Sequence, residues 1–437
     1  MPLDEGLVSL SKRDLVRLVV EFRDKISVLE KENKELKRLL LAYENPHTPS
    51  SKSKKKRIPR EKSERGLGAP LGHEKHERAQ PEPTETVEHK QENCSNCDAP
   101  LEAPFKIESR TEEETPEPQP PKIIKHLVYH YKCKCCGKII VAKHNIPKGM
   151  FGFNLQAHVT LMKFADRPPF RKVAEALERH YKINITDSGI LNITKRVSTK
   201  LQKEYHEAIC RIRLARVVYA DETEMKISGK KYWLWVFASE NEVIFVIRKS
   251  RSKSVAEEIL GKQFAGVVTS DGHSAYAKFS QHQRCWAHAI REAKELLEKY
   301  PEFGVFHENM TEMFSKIKEI REKPPPDEER ISLKKKLEER MSQMIDCMDS
   351  HIHFQKFATK LRNGLHHWFT CITHLFVEPT NNIAERALRE LIVQRKIMGG
   401  LRREKGARIM ETITSMIATW KLQGLPLFQT LKTAITC

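Results

Sequence analysis

Two kinds of chemistry-bearing residue stand out in this 437-residue sequence: thiols in close pairs, and lone acids set in apolar or basic surroundings. Cys94-Ser-Asn-Cys97 and Cys133-Lys-Cys135-Cys136-Gly137 are C-x-x-C pairs. Two such pairs can present four thiolates from tight turns, the tetrahedral demand of a structural zinc ion. The expected ligands are Cys94, Cys97, Cys133 and Cys136, with Gly137 releasing the second turn and Cys135 a spare thiol. A redox pair or unliganded cysteines are the plainer alternatives. Five of the ten cysteines fall between Cys94 and Cys136, which suits a metal in a reducing compartment better than a disulfide framework.

Asp221 lies within the apolar run RVVYADETEMKI (216–227), and Asp271 closes GVVTSDGHSAY (266–276). Burying an unpaired carboxylate in either place is costly, so something positive must compensate. Taken singly, Asp271 reads better as an Asp-Gly turn former and Asp221 as an exposed strand end. Glu385 adds a third acid. On a helix through 381–396 it shares one face with Asn381, Arg389, Ile392 and Lys396, and residues 378–408 hold four acids against eight bases. A basic surface with one carboxylate on its polar stripe suits phosphodiester chemistry, bases holding the backbone and the acid a metal. The alternative is a Glu385–Arg389 helix pair worth about 0.2–0.5 kcal/mol. Cys285 and His288 in RCWAHAIRE could form a further metal site, or could simply be packing residues.

The elements that must position these residues follow from periodicity. RVVYADETEMKI, KYWLWVFAS (231–239) and EVIFVIRKS (242–250) predict a three-stranded meander; KSVAEEILGKQF (253–264) predicts a helix, and a short buried strand ends at Asp271. That order is the order of an RNase H-like domain. Upstream, PPFRKVAEALERHYKINITDSGILNITKRVSTKL (168–201) predicts two helices. Val173, Ala174, Leu177 and Tyr181 share a face of the first, and Ile190, Leu191, Ile193 and Val197 a face of the second, with Thr186 or Asp187 as cap. The pair resembles a helix-turn-helix with Lys195, Arg196 and Lys200 free for phosphates, although helix pairs that merely pack are commoner. At the start, Leu15, Phe22, Leu29, Leu36 and Tyr43 interleave with Val19, Ile26, Asn33 and Leu40 at seven-residue intervals, the d and a seams of a coiled coil. Asn33 in that seam favours a parallel two-stranded register; the alternative is an amphipathic helix docked on its own chain. The run TPSSKSKKKRIPR (48–60) cannot bury a core and is expected to be a disordered linker or a phosphate contact.

Together ADET (220–223), SDGHSAY (270–276), CWAHAIRE (285–292), NNIAERALR (381–389) and KLQGLP (421–426) resemble the insertion-sequence sixty-six family of DDE transposases, and the likeness runs through almost the whole chain. The resemblance implies that Asp221, Asp271 and Glu385 are metal-holding acids on an RNase H-like fold. The 114-residue gap between the last two would hold a helical insertion over about 296–376, including the loop PPPDEER (324–330). It also raises His288 as an active-site helper. RELIVQRK (389–396) departs from the family pattern, in which a proline is expected soon after the arginine.

The expected fold class is therefore multidomain α+β. A coiled-coil helix (1–45) leads through a basic linker (46–90) to a zinc-ribbon-like module (91–150), then a helix-turn-helix-like region (151–208) and an RNase H-like α/β catalytic domain (209–437). The expected activity is binding of insertion-sequence ends followed by DNA cleavage and strand transfer. Two Mg2+ or Mn2+ ions on the three acids would serve it, with structural Zn2+ elsewhere. Arg386, Arg389 and Lys396 join Lys195 and Arg196 as candidate phosphate contacts. An inactive transposase-derived regulator and a metal-dependent nuclease on the same fold are the alternatives. A formal charge of +19 fits a polyanionic partner, here terminal inverted repeats and target DNA. The protein is expected to act as a homodimer or higher synaptic oligomer, with accessory proteins of the same element as further partners. No run approaches the roughly 18 apolar residues of a spanning helix and the start lacks a secretory pattern, so a cytoplasmic, nucleoid-associated protein is expected.

Overall fold

The computed structural model describes residues 11–43, 82–104, 106–277 and 279–436. The basic run 48–60 lies outside the described residues. The first helix, α1 (Lys12–Tyr43), is continuous over 32 residues, as its heptads predict. Its seam residues Val19, Phe22, Ile26, Leu29 and Leu36 are all more than half exposed, so no part of the described chain covers the seam. Strands β1 (His130–Lys132) and β2 (Ile139–Val141) form an antiparallel hairpin around the second cysteine pair, with Tyr131 opposite Ile140.

Four helical segments then lead to the main sheet: α2 (Phe153–Leu161), a π-helical turn (Met162–Asp166), α3 (Phe170–Tyr181) and α4 (Asp187–Arg213). The Thr186 hydroxyl caps α4 by accepting from Gly189 N at 3.1 Å. Helix α4 is longer than expected and buries Ile190, Ile193, Val197, Leu201, Tyr205, Ala208 and Ile212 along one stripe. Leu191 falls off that stripe and is 44% exposed, and Tyr181, the last residue of α3, is 39% exposed; both were expected inside. The helix pair is therefore a packed layer under the sheet, whichever other partners its outer face meets.

The sheet has the order β5-β4-β3-β6-β7. Strands β3 (Val217–Ile227), β4 (Lys230–Ala238) and β5 (Val243–Arg248) form the antiparallel meander. After α5 (Lys253–Leu260), which Gly261 ends at φ +90°, β6 (Val267–Ser270) lies parallel to β3. Then β7 (His282–Arg284), which the sequence pattern did not signal, lies parallel to β6. Because strand side chains alternate, Val218 and Ala220 of β3 enter the core against α4, whereas Tyr219, Met225 and Ile227 enter the opposite core.

Helix α6 (Trp286–Lys299) follows, then the helices α7 (Gly304–Glu322), α8 (Asp327–Asp349), α9 (Gln355–Arg362) and α10 (Thr370–Thr373). They build a core of their own from Met310, Met313, Ile317, Met341, Ile345, Met348, Phe354 and Phe357. Pro326 caps α8, so only the prolines of PPPDEER form the loop; the acids behind them open a helix whose positive end they face. Helices α11 (Asn382–Met398), α12 (Glu404–Leu422) and α13 (Leu427–Thr436) complete a mixed α+β protein with 13 α-helices among the described residues. RELIVQRK lies wholly inside α11, without a break.

Helix α12 seals one edge of the sheet. Its Glu411, Ser415 and Thr419 accept the backbone N–H groups of Ile247, Phe245 and Val243 on β5, at 2.8, 2.8 and 3.0 Å. Four residues of helix rise about 6 Å and two residues of strand about 6.7 Å, so the two ladders stay in step over three bonds. At the opposite edge Thr370 Oγ1 donates to His282 O at 2.7 Å, and Gln283 Oε1 accepts from Cys371 N at 2.8 Å.

Candidate active site

Asp221 and Asp271 are brought level by the parallel register of β3 and β6. Tyr219 pairs with Thr269, so the residues two further on in each chain emerge side by side. Asp221 remains inside β3, opposite Val236 of β4, while Asp271 stands just past the end of β6. Asp271 is also a turn former, as the plainer reading had it: its Oδ1 accepts from His273 N at 3.0 Å, and Gly272 follows at φ +90°. Asp221 Oδ1 accepts from Glu222 N at 2.9 Å. Burial, then the charges of Asp271, Glu222 and Glu385, push the Asp221 carboxyl up from the ordinary 3.8 to about 7, against the backbone N–H that lowers it.

Glu385 reaches this group because the start of α11 is tied to β3 and to the start of α6. Asn381, wholly buried, donates Nδ2–H to Ala220 O at 2.8 Å, immediately before Asp221. Its backbone N–H points to Cys285 Sγ at 3.1 Å, and its carbonyl accepts from Glu385 N at 3.1 Å. Trp286 N donates to Pro379 O at 3.0 Å, and Glu378 N to the Tyr219 hydroxyl at 3.0 Å. One turn into the helix, Glu385 Oε1 stands 3.6 Å from His288 Nδ1, and among the described residues it forms no ion pair with Arg389. Both of those atoms are enclosed without a hydrogen-bond partner.

The structure separates the other expected residues by exposure. Arg386 and Arg389 are exposed on the same side of α11, and Lys396 is half-buried. Lys195 is exposed on α4, while Arg196 is partly covered, with its guanidinium against Gly149. Lys200 is engaged with Ile435 O and the Phe153 ring. In the cysteine module, Cys94 Sγ receives N–H bonds from Asn96 and Cys97, and Cys133 Sγ from Cys136 and Cys135, which hold both thiols below their ordinary range. Each pair is closed, but the four sulfurs do not gather. Among the described residues, the sole trio of metal-ligating side chains whose donor atoms all lie within 4.8 Å is Cys285, His288 and Glu385.

Sequence reasoning missed two groups. Glu222 points to the face opposite Asp221, where its fully buried carboxylate meets Arg251 Nη2 at 2.8 Å and the Tyr276 hydroxyl at 2.7 Å. Strand alternation was the available signal: if one acid of an adjacent pair faces the site, the other enters the core. Arg284 is 7% exposed on β7, and its side chain lies over Gly272 and Gly364 and against the Trp368 ring. Its Nε is enclosed without a partner; burial lowers its pKa, and nearby Asp271 works in the opposite direction. No periodicity marks a three-residue strand, so this residue carried no sequence signal.

A five-stranded mixed sheet that sets two acids level, beside a helix carrying a third, defines the class of arrangement. The model of the family described as Transposase IS66 family matches residues 148–409. The chain belongs to this family. Two uncharacterized proteins of Sinorhizobium fredii (strain NBRC 101917 / NGR234) are similar to it. The protein y4jD is 24% identical over 334 residues, covering 68% of this chain and 65% of that protein. The protein y4qI is 23% identical over 323 residues, covering 64% and 58%. The chain thus spans about two thirds or less of the length of these curated relatives.

Proposed function

We propose that this protein is a transposase that binds the ends of its insertion sequence, cuts them and joins them to target DNA. The observation that carries the reading is the Asp221 carboxyl, raised to about 7 first by burial and then by the charges of Asp271, Glu222 and Glu385, on a basic protein. Acids that raise one another in this way are relieved where a cation balances them. The residues fit divalent ions of the hard class, since Asp221, Asp271 and Glu385 offer oxygen alone and Glu385 Oε1 is enclosed without a partner. Held there, two Mg2+ or Mn2+ ions would stabilise charge on the attacking and leaving oxygens of a phosphodiester.

Around them the chain's own residues bind and orient. Asn381 fixes Glu385 relative to Asp221. Arg386 and Arg389, exposed on α11 beside Glu385, meet backbone phosphates, and Lys396, Lys195 and Arg196 extend the basic surface. Water attacks the phosphorus at the element's end and its 3′-oxygen departs. That 3′-hydroxyl then attacks a target phosphate and displaces one target oxygen. No protein nucleophile enters either displacement.

The uncovered seam of α1 supports pairing with a second copy, bringing two ends together. Closed thiol pairs at Cys94/Cys97 and Cys133/Cys136 support a Zn2+ module once the two turns meet. The core built around the strand order β5-β4-β3-β6-β7 supports an RNase H-like catalytic domain with its helical insertion. On this reading the protein works in the cytoplasm at the nucleoid, with accessory proteins of the same element. The test is incubation with DNA bearing the neighbouring inverted ends, with and without Mn2+. Wild type should cut and join, and Asp221→Asn should bind the ends but do neither. Equal cleavage by the variant refutes the assignment, and binding without cleavage by wild type leaves a regulator.

A further inference from the structure

Cys285 stands immediately before α6, and its Sγ receives backbone N–H groups from Ala287 and His288 as well as from Asn381. The same pattern, donors two and three residues on, surrounds Cys94 through Asn96 and Cys97, and Cys133 through Cys135 and Cys136. Amide N–H groups converging on sulfur favour the thiolate that ligates metal, but at Cys285 burial outweighs them and raises the thiol, so the geometry rather than the acidity carries the site. At Cys285 the second member of the turn is an imidazole, and a carboxylate arrives from α11.

The spacing leaves room for an ion between the three donors. The Cys285 sulfur, a His288 ring nitrogen and a Glu385 oxygen all lie within 4.8 Å of one another. His288 Nδ1 and Glu385 Oε1, 3.6 Å apart, are too distant to hydrogen-bond, yet both are enclosed and unpartnered. Two donors each about 2.0–2.2 Å from a tetrahedral ion stand roughly 3.4 Å apart. A small relaxation closes the difference.

We propose that Cys285, His288 and Glu385 form a site for a borderline divalent cation of the zinc class, with a fourth position open, distinct in chemistry from the oxygen-only set of Asp221 and Asp271. Sulfur and imidazole select Zn2+ or Co2+ over Mg2+. Binding releases the Cys285 thiol proton to solvent, so the site tightens as pH rises. The site stands on its own geometry; its consequence, that Zn2+ takes Glu385 away from DNA cleavage, rests on the transposase reading.

Co2+ titration of the full-length chain tests it, because cobalt–thiolate absorption reports sulfur ligation directly. The cysteine module contributes the same signal in every variant, so subtraction isolates this site. Cys285→Ser should bind about one Co2+ fewer per chain, while His288→Gln and Glu385→Gln should weaken that ion about tenfold or more. Asp221→Asn should keep it, and excess Mg2+ should not displace it. Identical stoichiometry and a flat difference spectrum across Cys285→Ser, His288→Gln and Glu385→Gln overturn the proposal. The outcomes separate cleanly from the cleavage test: a cobalt site without DNA cleavage sinks the transposase reading alone, and cleavage without a cobalt site sinks this one alone.

Discussion

Replacing Asp221 with Asn should stabilise the metal-free protein at neutral pH. The carboxyl is pushed from 3.8 to about 7, chiefly by burial and the charges of Asp271, Glu222 and Glu385. A folded-state pKa above the unfolded one means the fold holds the proton more tightly, so ionisation costs stability. That cost is absent below about pH 4, grows as pH rises, and is complete above about pH 7. At about 1.4 kcal/mol for each tenfold change in proton affinity its ceiling is about 4 kcal/mol; for a half-buried group that water can relax around, about 2 kcal/mol is the working figure. Asn keeps the bond from Glu222 N and carries no charge. In EDTA at pH 8 the variant should melt about 4–8 °C higher, and at pH 5 the difference should shrink to a fraction of that. Mn2+ should reverse the order by stabilising wild type more. A variant no more stable than wild type at pH 8, or an increment equal at both pH values, would refute the reasoning.

Other outcomes follow from neighbouring contacts. Arg251→Ala strands the buried Glu222 carboxylate and should lower the urea-unfolding free energy by about 3 kcal/mol, with Glu222→Gln in the same chain recovering part of the loss; an unshifted midpoint would remove Arg251 as its counter-charge. Ser415→Ala leaves the Phe245 N–H without its acceptor and should cost about 1–2 kcal/mol, with faster hydrogen exchange at that amide as the specific sign. Cys97→Ser and Cys133→Ser should each remove about one zinc per chain by elemental analysis, leaving the melting of the catalytic region unchanged.

Long periodic segments were legible in the sequence. The meander and the helix after it could be expected because strand alternation and helical periodicity act locally, although the helix, expected over 253–264, stops at Leu260 where Gly261 takes a positive φ. What sequence could not show was set by contacts between distant segments. His288 and Glu385 are 97 residues apart, and ties from residues 378–381 to Tyr219, Ala220, Cys285 and Trp286 bring them together. Arg284 sits on a strand of three residues, too short to carry a period. The opposite error arose at Leu191, where apolar character suggested burial but the helical angle turned the side chain outward. The two thiol pairs were recognisable from spacing, whereas the approach of one pair to the other is not a local property and the structure leaves them separate.

The side-chain bonds that close both flanks of the sheet also bear on how copies of this protein can associate. With three amides of β5 taken by α12, and His282 O and the Gln283 side chain engaged on the other flank, both edges of the five-stranded sheet are guarded against an intruding strand. If the proposed reading holds, chains gathered on one stretch of DNA meet at high local concentration with this sheet protected from cross-β growth. On the proposed reading, pairing of copies is then left to the uncovered seam of α1.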